Sequence, residues 1–88
     1  MSRQELHDLF LHLENERKQL DIVDQEQRQR LDELIESLEQ QKLYPEEFDQ
    51  YSTLGTQIRE MTLEYESQHP SFSAVLNSIM QVLHNFQA

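Results

Sequence analysis

Apolar residues recur along the chain at spacings of three and four, in four blocks divided by short breaks. Leu6, Leu9, Phe10, Leu13 and Leu20 make the first block, the pattern of an amphipathic helix. Arg17 stands where the stripe should continue. Ser2 and Glu5 have the spacing of a capping box, and Arg17 and Lys18 suit the negative end of the helix dipole. A helix over about 3–20 follows. Asp21-Ile22-Val23-Asp24 then interrupts the pattern; two adjacent β-branched residues between aspartates fit a tight connection better than a helix interior. Asp24 and Gln27 repeat the cap spacing, and Leu31, Leu34, Ile35 and Leu38 give a second helix over about 25–42. The alternative, one unbroken helix over 3–42, strands Ile22 and Val23.

Tyr44-Pro45 is the next boundary, because the residue before proline is pushed out of the α region and proline suits the first helical position. Glu46, Glu47 and Asp49 fill what would be a first turn. Phe48, Tyr51, Leu54, Ile58, Met61 and Tyr65 give a third helix over about 45–68, its spacing from Tyr51 onward that of a coiled-coil seam. Gly55 lies inside this segment, where it costs about 1 kcal/mol relative to alanine. It marks either a close approach of another backbone beside Ile58, with Ser52 and Thr62 assisting, or a tolerated surface glycine. His69-Pro70 opens a fourth helix over about 70–86, although Ser71 is a better cap by residue type. Its stripe is Phe72, Val75, Leu76, Ile79, Leu83 and Phe86, widened by Met80 and Val82. The predicted fold is all-α and single-domain: an N-terminal helical hairpin plus two further helices in an antiparallel, coiled-coil-like bundle.

Composition narrows the functions more than it names one. In 88 residues there are one Gly, two Pro and no Cys, which excludes a disulfide framework and thiolate metal sites and disfavours a turn-rich β architecture. Seven basic residues against 17 acidic ones give a net charge of −10, which disfavours nucleic-acid binding. The first residues lack the apolar core of an export signal, so a cytoplasmic location is expected. All charged residues lie in the first 66 positions. The uncharged remainder is broken by Asn77, Gln81, His84 and Asn85, so it does not suit a membrane span. Without Lys or Arg, it also lacks the means to meet anionic lipid.

Tyr65-Glu66-Ser67-Gln68-His69-Pro70-Ser71-Phe72, leading into an uncharged helix, resembles a small bacterial family of unknown function. Members are about this long, with an acidic-x-x-His-Pro motif before a final amphipathic helix. The resemblance extends to a second helix opening like Asp24-Gln25-Glu26-Gln27-Arg28. The Asn85-Phe86-Gln87-Ala88 ending departs from the family's more usual Gly-Ile. The resemblance implies the helical layout and brings no activity.

Chemistry-bearing constellations are sparse. Glu66 and His69 form an E-x-x-H, which in di-iron bundles recurs on two helices with two further glutamates; here one copy sits against Pro70. His12 and Glu16, one turn apart, suit a solvated contact better than a two-ligand site. His7 and His84 have no partner by spacing. Tyr44, Tyr51 and Tyr65 fall at seven-residue multiples, which reads as a seam with phenols at its rim more than as a ligand-stacking edge. No nucleophile elbow, phosphate loop or zinc-protease motif occurs, and so small a helical chain leaves little room for a pocket of about 300 Å3. The expectation is a non-enzymatic structural or protein-interaction module without cofactor. A small-ligand or metal-binding bundle using Glu66 and His69 is the alternative. The wide apolar arc of the fourth helix calls for contacts on more than one side, and a second copy would supply them. Phe72, Val75, Leu76, Ile79, Met80, Leu83 and Phe86 are therefore the expected interface of a homodimer.

Overall fold

A computed structural model describes residues 3–86. Among them are four α-helices and no strand: α1 (Arg3–Gln19), α2 (Gln25–Leu43), α3 (Thr53–Tyr65) and α4 (Pro70–Asn85). The Ser2 half of the anticipated capping box lies outside the described residues. Asp24 caps α2, its carboxylate accepting from the backbone N–H groups of Glu26 at 2.9 Å and Gln27 at 3.4 Å. The hairpin reading therefore holds over the unbroken helix. Within the connection Ile22 turns into the core while Val23 is 87% exposed.

The third segment is shorter than its pattern suggests. Pro45 starts only a single 3-10 turn, Pro45–Glu47, after which Phe48 is extended (φ −65°, ψ 131°) and fully buried. Pulling Phe48 into the core breaks the helix. The chain turns through residues 49–52, with the Asp49 carboxylate accepting from the Tyr51 N–H at 2.9 Å. Ser52 then caps α3, its hydroxyl accepting from the Gly55 N–H at 3.2 Å. Tyr51 belongs to this turn and is exposed, so the seam begins at Leu54 and continues through buried Ile58, Met61 and Tyr65. The helix also ends at Tyr65 and not near residue 68, where residues 66–68 form a turn.

Gly55 is where the turn meets the helix. A side-chain Cβ there would run into the Gln50 carbonyl oxygen and lie 2.6 Å from its carbonyl carbon. The close-approach reading is correct, but the approaching backbone is the preceding turn, not a neighbouring helix. Arg59 secures the same carbonyl, donating to it at 2.6 Å.

α4 is the central helix, packed against α1, α3 and the Pro45–Glu47 turn. α2 packs on α3, α1 and that turn. The core runs through Leu6, Phe10 and Leu13 of α1, Leu31, Leu34 and Leu38 of α2, the buried residues of α3, and Phe72, Val75, Leu76, Ile79, Val82 and Leu83 of α4. Ser73 of α4 is buried and donates to the Thr62 carbonyl at 2.7 Å. A small hydroxyl lets α3 and α4 approach closely there while satisfying its own donor. Arg17, interrupting the α1 stripe, reaches Asp32 of α2 at 3.0 Å.

Candidate functional site

The E-x-x-H residues do not converge on a site. Glu66 is exposed at the end of α3, and His69 is half-buried at the start of α4. The His69 side chain makes no capping bond. Its ring lies 5.8 Å from that of Tyr65, and its backbone carbonyl accepts from the Ser73 N–H at 3.0 Å. Among the described residues no group of three His, Asp or Glu is placed to hold a metal ion. His12 and Glu16 meet at 3.3 Å on the surface of α1, a two-residue contact.

The three tyrosines separate. Tyr44 and Tyr51 are exposed, and Tyr65 is buried with its ring edge-on to Phe72 at 5.4 Å. They form no common stacking edge. The Tyr65 hydroxyl has no hydrogen-bond partner. Burial pushes the Tyr65 phenol above its ordinary value; Glu64 adds to the push, while Arg17 and Arg30 oppose it. These charged groups tie the helices together: Glu64 of α3 meets Arg30 of α2 at 3.7 Å and accepts from Gln27 at 2.9 Å.

Surface hollows are open to solvent. One near the end of α2 has a volume of about 630 Å3, more room than the chain length suggests, but it is an open trough among Ser37, Gln40, Gln41, Leu43, Tyr44 and Glu47. Two smaller ones flank α4. Ser71, Ala74, Val75 and Ser78 meet Leu9, His12 and Glu16 of α1 across about 280 Å3. On the other side Asn77, Met80, Gln81, His84 and Asn85 meet Gln50 across about 240 Å3.

Between these two hollows lies the outward face of α4. Ser71, Ala74, Asn77, Gln81, His84 and Asn85 are exposed, with Ser78 half-buried among them. None is charged, in a chain whose 24 Asp, Glu, Lys and Arg residues are all elsewhere. Of the residues expected to meet a second copy, Phe72, Val75, Leu76, Ile79 and Leu83 are buried within the chain, and Met80 and Phe86 are partly covered. The wide arc of α4 is thus covered by α1, α3 and the Pro45–Glu47 turn, so the need for a second copy to cover it falls away. The residues available to a partner are the uncharged ones opposite. That face shows in the sequence only as an absence of charge, whereas the apolar stripe is the side covered within the chain.

An acidic all-α bundle is the class these features define. More narrowly, the chain belongs to the family described as a domain of unknown function (DUF4404), whose profile matches residues 3–86. No curated protein and no solved structure matches it. No helix among the described residues is long and apolar enough to cross a membrane.

Proposed function

We propose that the chain is a structural or protein-interaction module of the bacterial cytoplasm, without catalytic activity, that self-associates through its C-terminal helix. The single observation behind this reading is the uncharged outward face of α4 in a chain of net charge −10. A surface helix of a soluble bundle ordinarily carries charge on its outer side. α4 carries serines, amides, an alanine and a histidine there. Such a face is easily desolvated, because no ionised group must leave water when a partner covers it. The rest of the surface, dense in carboxylates, keeps the chain soluble and repels acidic partners. A light-scattering mass at tens of micromolar, a usual working concentration, tests the reading. It predicts a mass that rises with concentration from 10.6 kDa toward twice that value; a mass of 10.6 kDa at every concentration contradicts self-association.

A further inference from the structure

We infer that two copies pair antiparallel along the outward faces of α4, about a two-fold axis at Ser78. The inference rests on the self-association proposed above and adds the surface, the direction and the register. Ser71, Ala74, Ser78, Gln81 and Asn85 follow at spacings of three and four along the outward side of α4, the spacing of a seam between two helices. Their sizes are ordered along it, with small side chains in the first half and long amides in the second.

An antiparallel pair about Ser78 sets Ser71 opposite Asn85 of the other copy and Ser78 opposite itself, and brings Ala74 beside Gln81, within one residue of exact register. Ser71 and Ala74 then each face an amide while Ser78 meets its own copy, and the Asn85 and Gln81 amides bring both donors and acceptors to the contact. Parallel pairing sets Ser71 on Ser71 and Asn85 on Asn85, leaving a gap at one end and crowding at the other. An isologous contact of this kind closes at two copies.

Charge points to a second copy over a partner of another kind. Two chains of charge −10 repel through most of their surfaces. The α4 face lets them meet without apposing carboxylates. Glu16, at the rim of the hollow beside Ala74, is an acidic residue bordering it and is engaged by His12 at 3.3 Å. A basic partner would instead be drawn to the carboxylate-rich helices. One helix of about 24 Å per copy makes a small interface, below the ~1,200 Å2 of standard complexes, so the pair is weak and exchanging.

The test uses the whole chain with single substitutions, its lack of cysteine making added thiols unique. Ser78→Glu and Ser78→Lys should each weaken the homodimer by at least about tenfold in sedimentation equilibrium, with helicity unchanged by circular dichroism. Mixing the two proteins should restore a dimer, which separates lost pairing from lost folding. Oxidising a mixture of Ala74→Cys and Gln81→Cys proteins should give mainly the mixed disulfide. A dimer indifferent to both Ser78 changes overturns the surface while leaving self-association standing. Predominant Ala74→Cys self-crosslinking overturns the direction. A wild-type chain that stays monomeric overturns both this inference and the reading beneath it.

Discussion

Gly55→Ala is the substitution for which helix propensity and tertiary structure disagree in sign. Alanine in a helix is favoured over glycine by about 1 kcal/mol, and Gly55 has no positive φ to protect it. On propensity alone the change stabilises. The added methyl, however, collides with the Gln50 backbone carbonyl, 2.6 Å from its carbon and 3.0 Å from its Cα. That backbone cannot yield cheaply, since Arg59 donates to the same carbonyl at 2.6 Å and buried Phe48 anchors the turn from its other side. Overpacking of this kind costs about 1–3 kcal/mol. Backbone is stiffer than a side chain, so the upper part of that range applies, and the net effect is a loss of about 1–2 kcal/mol once propensity is subtracted. For a domain of this size that lowers Tm by roughly 4–15 °C. Urea unfolding followed by circular dichroism measures it directly. A variant as stable as wild type, or more so, refutes the account of the turn over Gly55.

Burial supports two further predictions, and the separation of Glu66 and His69 a third. Ile22→Ala should cost about 2 kcal/mol, at the low end for a buried isoleucine, whereas Val23→Ala next to it should change stability by less than about 0.5 kcal/mol; equal effects in urea titrations would contradict the placement of Ile22 in the core. Tyr65→Phe should be neutral or stabilising by up to about 1 kcal/mol near neutrality, because the buried hydroxyl has no partner. Since the folded state favours the neutral phenol, its contribution is fully present below pH about 10 and is lost as pH rises toward the elevated folded value. The phenylalanine variant should therefore lose less stability than wild type in that alkaline range, and identical pH profiles would oppose this. Metal analysis of untagged protein should find no stoichiometric iron, manganese or zinc; one equivalent abolished by Glu66→Ala or His69→Ala would restore the metal-binding alternative.

The four helices were legible because each has an apolar stripe and because Asp24 and Pro70 stand at the starts of α2 and α4. Pro45 misled for a physical reason: proline at the first position followed by acids suits a 3-10 turn as well as an α-helix. What decides between them is the burial of Phe48, a tertiary event. Ile22 and Val23 look alike in sequence, and only the geometry of the hairpin sends one inward. Serine hydroxyls usually lie at the surface, and nothing in the sequence marks Ser73 as the buried one that donates to the Thr62 carbonyl of α3. The expected interface residues Phe72, Val75, Leu76, Ile79 and Leu83 lie buried within the chain for a similar reason. Periodicity locates an apolar stripe but not what covers it, and α1 and α3 together span an arc too wide for one helix.

Sedimentation velocity of the wild-type chain at low and high salt tests self-association through α4 most directly. Charge repulsion between two −10 chains is screened as salt rises, the Debye length falling from about 30 Å at 0.01 M to about 8 Å at 0.15 M. The account predicts a monomer–dimer exchange whose dimer fraction grows with added salt. A mass of one chain at both salts contradicts the account, and a dimer that dissociates on adding salt contradicts pairing through the uncharged face of α4.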